Sequence, residues 1–327
     1  MQQFHTKDIH KLSFLVTGGA GFIGSHIVEY LLKHGAGKVR VLDNLSTGLQ
    51  SNIDLFKDNP AFEFINGDIR DAAVCQQACE GIDHVSHQAA LGSVPRSIAD
   101  PITSNDVNVG GFVNMLTAAK DAGVKTFVYA SSSSVYGDDP ELPKREVKTG
   151  NPLSPYAVTK KANELYADVF SKLYGMKLCG FRYFNVFGPR QDPNGPYAAV
   201  IPLFVSGILN NTTVYINGDG EQTRDFTFVD NAVQANVRGM LAENDTAFGE
   251  VYNVAVGENY SVNFLYNAIR ELLGKEHQAT YREARAGDVR NSLAGISKAK
   301  SLLGYEPTQR FAQGLEETVS FFRAMHA

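Results

Sequence analysis

Apolar residues occur along the first half of the chain in short continuous runs, each separated from the next by a stretch with helical spacing. Residues 12–17 form such a run, and so do 38–43, 62–65, 85–90, 125–130, 178–184 and 251–255. Runs this short and this uniformly apolar predict strands buried on both faces of a parallel sheet. Between them, residues 22–32, 107–122 and 156–174 repeat apolar positions every three or four residues, which predicts helices. His34-Gly35 supplies a stop for the first of these. Strands alternating with helices imply right-handed crossovers and a doubly wound parallel sheet of the α/β class.

The pattern weakens after Asn185. Residues 186–225 are rich in Pro, Gly and Asn, and 256–327 read as short helices mixed with polar turns. Residues 1–185, together with about 226–255, are therefore expected to form the sheet domain. The segments 186–225 and 256–327 are expected to form a smaller, discontinuous C-terminal lobe.

Composition narrows the function classes. A length of 327 residues with 43% hydrophobic and 20% charged residues fits a globular chain of about two domains. The formal charge is −5, which argues against nucleic acid or an anionic membrane as the main partner. Cys75, Cys79 and Cys179 are too few and too scattered for a disulfide framework, and no second ligand pair accompanies Cys75 and Cys79, so no metal is expected. No apolar stretch approaches the ~18 residues of a membrane span, and the N-terminus lacks the apolar core of a signal peptide. A cytoplasmic location is the default expectation.

The first strand runs through Thr17-Gly-Gly-Ala-Gly-Phe-Ile-Gly24 directly into the first helix. Gly18, Gly21 and Gly24 allow a tight turn, a close approach of backbone to pyrophosphate, and close packing of helix on strand. The helix N-terminus adds unpaired N–H groups and a partial positive charge. Asp43 ends the second strand, where a carboxylate can accept from an adenosine ribose. No Arg or Lys lies in Asn44–Gly48 to receive a 2′-phosphate, so NAD is favoured over NADP. Asp68 follows the third strand and is placed to meet the adenine.

Tyr156-x-x-x-Lys160 opens the helix after Pro155, and the spacing puts both side chains on one face. A nearby ammonium, together with oxidised nicotinamide, favours the phenolate, so Tyr156 is expected to act as general base nearer neutral pH than a free phenol. Ser131–Ser134 fall at the C-terminal end of a sheet strand, where ligands of open α/β sheets bind. Taken singly, the tyrosine–lysine pair could be surface decoration and the serine run an ordinary polar turn.

In this order, the features resemble the extended short-chain dehydrogenase/reductase family, and within it the nucleotide-sugar 4-epimerases, those acting on UDP-N-acetylglucosamine above all. The resemblance covers nearly the whole chain and is carried by Gly18–Gly24, Gln88–Ser97, Ser132–Gly137, Tyr156–Lys160, Arg182–Arg190 and Gly287–Ser292. Gly295 departs from it, standing where the family usually has Asp. The resemblance implies Ser132, Tyr156 and Lys160 as the catalytic set. It implies cofactor contacts from Gly18, Gly21, Phe22, Ile23, Gly24, Asp43, Asn44, Ser46, Thr47, Gly48, Asp68, Ile69, Gln88, Ala89, Ala90, Asn108 and Tyr183, besides Tyr156 and Lys160. It implies substrate contacts from Gly92, Ser93, Ser132, Ser133, Ser134, Asn185, Gln191, Val200, Tyr215, Asn217, Arg224, Arg285, Asp288 and Ser292. Arg forks suit a diphosphate and Asp suits ribose hydroxyls, although each Arg could instead serve a structural ion pair.

The function implied is isomerisation at C4 of a UDP-sugar through a 4-keto intermediate, with NAD held tightly and regenerated in each cycle. Related dehydratases carry Asp-Glu after the catalytic hydroxyl residue. Here Ser133-Ser134 stand in those places, so elimination chemistry is not expected. Ser292 is small where a bulky residue would exclude a 2-acetamido group, which favours UDP-GlcNAc and UDP-GalNAc over UDP-Glc and UDP-Gal. Arg96 keeps the uronic acid forms open, and an NAD-bound sensor or scaffold is the reading from another class. The resemblance also implies a cell-surface polysaccharide pathway, and a homodimer formed by helices 107–122 and 156–174.

Overall fold

The computed structural model describes residues 1–194, 198–284 and 290–326. Seven strands build one parallel sheet. They are β1 (Ser13–Thr17), β2 (Lys38–Asp43), β3 (Phe62–Asn66), β4 (His84–His87), β5 (Thr126–Ser132), β6 (Leu178–Tyr183) and β7 (Glu250–Val254). Their order across the sheet is β7-β6-β5-β4-β1-β2-β3. Connections run outward in opposite directions from β1 and β4, so a crevice opens beyond their carboxyl ends.

Alternation along the strands fills both faces. Phe14, Val16, Val39 and Val41 point to one side, against Ile27 and Val28 of α1 (Phe22–Lys33). Leu15, Leu42, Val85 and Phe127 point to the other, against Met115 and Leu116 of α2 (Gly111–Asp121). The twenty-residue α3 (Pro155–Tyr174) begins at a Ser154 cap and ends at Gly175 in the left-handed conformation. On the α1 side, α4 (Val229–Met240) is buried almost throughout.

Three expectations about elements are corrected. The run expected as a strand over 85–90 stops at His87, because Gln88–Ala90 turn against the glycine loop. A Cβ on Gly18 would lie 2.7 Å from Ala89 N, so only glycine permits that approach. The helix expected from 107 begins instead as a π-helical turn, Asp106–Gly110, before α2 takes over. Residues 256–327 hold two amphipathic helices longer than the sequence reading foresees, α5 (Val262–Leu273) and α6 (Phe311–Met325). Leu265, Ile269, Leu315, Val319 and Phe322 from these helices join Ile201, Phe204, Ile216 and Phe226 in a third apolar cluster. Among the described residues no helix is long and apolar enough to cross a membrane.

Candidate active site

The glycine turn is shaped by contacts that admit no side chain. Gly18 has φ +70°, and a Cβ on Gly24 would lie 2.1 Å from Gly18 O. The first turn of α1 is left without a side-chain cap, so its N–H groups are available to an anion. In front of it lies a cleft of about 440 Å³ at the carboxyl ends of β1–β6. Every residue expected at the cofactor lines this cleft except Asn108.

Asn108 is buried, and its amide is spent on both backbone groups of Leu91, at 2.7 Å to N and 3.1 Å to O. It holds the cleft wall from behind. Asp43 accepts from Ala20 N at 3.0 Å and Leu45 N at 2.8 Å, while burial pushes its carboxyl above the usual range. Asp68 is held by the Arg70 fork, which drives its carboxyl down to about 2, and by Asn44. Lys160 is the one Lys or Arg lining the cleft among the described residues. This donor set fits NAD, with a carboxylate for ribose hydroxyls and no cation for a 2′-phosphate.

Ser132, Tyr156 and Lys160 meet on the β5–β6 side of the same cleft. Lys160 is buried, donates to Ala130 O at 2.8 Å and stands 5.9 Å from the centre of the Tyr156 ring. Burial pushes its ammonium down to about 8. The chain's own groups do not depress the Tyr156 phenol. Burial raises it, and the hydrogen bond with Ser132 opposes that only in part. Desolvation of the phenolate is the larger effect at this position.

Two further cavities adjoin the cleft. One of about 600 Å³ is lined by Gln191, Val200, Asn217 and Arg224, and another of about 250 Å³ by Ser133, Ser134, Lys144 and Ser292. Asn185, with φ +35°, borders all three spaces. Arg224 borders the latter two. Two buried oxygens here have no hydrogen-bond partner among the described residues, Ser134 Oγ in the smaller cavity and Gln191 Oε1 where the larger one meets the cleft. Orphaned polar atoms in a cavity wall are what a polar ligand would satisfy.

Three expected substrate contacts lie elsewhere. Gly92 lines the cofactor cleft. Ser93 accepts from Arg96 N at 3.3 Å and caps the short helix Val94–Ala99. Tyr215 is exposed, under the Arg282 guanidinium at 4.8 Å. Arg285 and Asp288 lie outside the described residues.

The structure adds polar residues that the sequence reading passed over. Ser97 Oγ accepts from Tyr156 N at 3.0 Å and so pins the backbone at Tyr156. Glu164 forms a buried two-point pair with Arg182, at 2.8 and 2.9 Å, and accepts from Ser131 Oγ at 2.7 Å. It lies eight residues after Tyr156 on the same helical face, and that spacing is the signal that could have found it.

Comparison with known proteins agrees with this geometry. The model of the NAD-dependent epimerase/dehydratase family matches residues 14–255. The UDP-glucose 4-epimerase of Mycolicibacterium smegmatis is 40% identical over 311 residues, spanning 94% of this chain and 98% of that protein. The solved UDP-N-acetylglucosamine 4-epimerase of Methanobrevibacter ruminantium, in complex with UDP-N-acetylmuramic acid, is 39% identical with a TM-score of 0.91, over 96% of this chain and 99% of that one. The UDP-glucuronic acid 4-epimerase of Bacillus cereus, solved with UDP-glucuronic acid and NAD, is 32% identical with a TM-score of 0.88, over 96% and 100%. With the glycine cradle, the Ser132–Tyr156–Lys160 cluster and these relatives in agreement, the chain belongs to the NAD-dependent epimerase/dehydratase family and is an NAD-dependent nucleotide-sugar 4-epimerase.

Proposed function

We propose that the chain interconverts UDP-N-acetylglucosamine and UDP-N-acetylgalactosamine. The observation that carries this reading is the smaller cavity, whose wall at Ser133, Ser134 and Ser292 offers hydroxyls and no bulk. A 2-acetamido group needs that space when the sugar turns over. Arg96, which kept the uronic acid forms open, borders none of the three spaces. Lys144 does border the hexose cavity, but its ammonium donates to Asp139 O and lies 3.6 Å from the Asp139 carboxylate. A C6 carboxylate would have to compete with that pairing.

Bound NAD supplies the acceptor, and then the donor, of the hydrogen at C4. Tyr156 takes the proton of the 4-hydroxyl, Ser132 shares it through their hydrogen bond, and the Lys160 ammonium offsets the phenolate charge. Asn185, Gln191 and Arg224 hold the nucleotide in the larger cavity while the 4-keto sugar turns in the smaller one. Ser133 and Ser134 provide neither acid nor base for elimination, so the keto sugar returns only by reduction. In this reading residues 1–185 with about 226–255 hold the cofactor, and 186–225 with 256–327 hold the nucleotide. The third apolar cluster, drawn mainly from those later segments, supports the division.

We also infer a homodimer through α3. Leu165, Val169 and Leu173 lie on one face of it, 60%, 46% and 70% exposed. On the other helix implied in the pairing, the apolar residues Phe112, Met115 and Leu116 are core residues and make no such contact. A reducing, cytoplasmic compartment suits the three buried thiols, Cys75, Cys79 and Cys179.

The test is interconversion of UDP-GlcNAc, UDP-Glc and UDP-GlcA with no NAD added, in the parent and in Ser292→Tyr. The parent should have its highest kcat/KM with the N-acetylated sugar. The new ring should cost that sugar about 10-fold to 100-fold in kcat/KM relative to UDP-Glc, from an overpacking penalty of ~1–3 kcal/mol. Equal effects on both sugars would remove Ser292 from the pocket wall and with it the substrate assignment.

A further inference from the structure

Helix α4 carries three amide side chains that are 0–1% exposed, Asn231, Gln234 and Asn236. Asn231 accepts from Thr308 N at 2.8 Å and Gln234 from Glu306 N at 2.8 Å, so these two fasten a neighbouring loop. Asn236 instead faces the sheet. Its Nδ2 donates to Tyr183 Oη at 2.7 Å and Ala232 O at 2.8 Å, and its Oδ1 accepts from Gln88 Nε2 at 2.9 Å and Ser86 Oγ at 3.0 Å. The Tyr183 hydroxyl then donates to Gln88 Oε1 at 3.1 Å, which closes a ring of three side chains. Gln88 Nε2 donates to Ser86 Oγ as well, at 3.0 Å. An amide nitrogen only donates, so the Tyr183 hydroxyl, receiving from Asn236, is left to give its own proton to Gln88 Oε1.

The partners of Asn236 are the informative part. Gln88 follows β4 and Tyr183 ends β6, on either side of β5, whose last residue is Ser132. In the sheet register Tyr183 is the direct neighbour of Ser132. Both Gln88 and Tyr183 line the dinucleotide cleft, in its reacting half, whereas Asp43 and Asp68 mark the opposite end at β2 and β3.

We propose that Asn236 is a positioning residue for epimerisation, one that touches neither cofactor nor substrate and locks Gln88 and Tyr183 as the walls of the reacting half of the cleft. The proposal rests on the assignment of those two residues to the cofactor site. Without the amide, the Tyr183 hydroxyl and the Gln88 amide each lose their partner on α4 and the Ser86 hydroxyl its acceptor, and the two cleft-lining side chains rearrange to recover them. An aspartate in its place keeps the shape but offers no donor, so Tyr183 turns its proton to the carboxylate and lets go of Gln88. The cost falls on alignment at the reacting centre, while the nucleotide cavity, which none of these side chains lines except through shared neighbours, keeps its grip.

Asn236→Leu, Asn236→Asp, Tyr183→Phe and the double variant Asn236→Leu/Tyr183→Phe would be compared with the parent holoenzyme. The measurements are kcat and KM for UDP-sugar interconversion, bound NAD per chain and the thermal midpoint. Both Asn236 variants should lose about 10-fold or more in kcat with KM changed less than about 3-fold, beyond any loss of NAD or folded protein. The double variant should be no slower than the slower single one, because both act through the same hydroxyl. If Asn236→Leu does not fold, Asn236→Asp alone decides. A kcat in Asn236→Asp equal to the parent's, a loss accounted for by missing NAD, or fully multiplicative losses would overturn the proposal. A parent chain that interconverts no UDP-sugar overturns the functional reading as well, whereas an active parent with unaffected variants overturns only the role of Asn236.

Discussion

Burial moves the two ionisable partners at the reacting end in opposite directions, raising the Tyr156 phenol and lowering the Lys160 ammonium to about 8. Each change favours the neutral form, so the resting pair carries less charge than its spacing in sequence suggests. Oxidised NAD held in the cleft would supply a positive charge that favours proton release. Tyr156→Phe should lower kcat by at least the roughly 10²–10⁴-fold typical of a lost general base, with NAD content unchanged, and near-parent turnover would discard the mechanism. Lys160 makes a separate prediction about stability. An unfolded lysine keeps its proton to about 10.4, so between about 8 and that value the unfolded chain binds more protons than the folded one. The contribution of Lys160 to stability therefore rises with pH across this window, by about 3 kcal/mol when complete. The melting temperature of the parent holoenzyme should gain on that of Lys160→Met from about pH 7 to about pH 10, and a constant difference would show that the ammonium is not desolvated.

Among the elements, the unit of β1, glycine turn and α1 has the least tolerance. Gly18, Gly21 and Gly24 meet backbone rather than flexible side chains, with Gly24 packed on Gly18 O. Gly24→Ala should displace the start of α1 and leave purified protein largely without NAD. Gly92, whose Cβ would meet nothing within 4 Å, should accept alanine with its NAD retained. Full cofactor loading in Gly24→Ala would contradict the packing. This unit was legible from sequence because turn, spacing and flanking apolar runs are all local, and the same holds for Tyr156 and Lys160 one turn apart. Legibility failed where the partner is distant in sequence. Asn236, Ser97 and Glu164 are polar residues in unremarkable helical surroundings, and their partners lie 148, 59 and 18 residues away. Asn108 is legible as part of the site, but nothing local shows that its amide pairs with both backbone groups of Leu91. In α5 the signal was present. Val262, Leu265, Tyr266, Ile269 and Leu273 keep helical spacing, and only the neighbouring polar turns obscured it.

At the scale of the whole molecule, the exposed stripe on α3 should be covered by a second copy. Isologous pairing is the commonest way to bury such a surface. Light scattering should give about twice the chain mass of 35.6 kDa, and Leu165→Glu should shift the particle toward that single mass. A monomeric parent at micromolar concentration would rule out the pairing. Strand order carries a different consequence, one of timing. The half of the sheet that would hold the adenosine, β1 to β3, is complete once residue 68 has been made. The reacting half needs β6 and, behind it, Asn236 and the edge strand β7, which ends at Val254. At a synthesis rate of ~5–20 residues per second, the adenosine half precedes the reacting half by about ten seconds or more. A nascent chain thus passes through a stage in which the strands facing one end of the cofactor are made and those facing the other end are not. Early capture of that first end would lower the entropy cost of closing the remaining long-range contacts and would speed assembly, making the cofactor a folding template before it becomes a reagent.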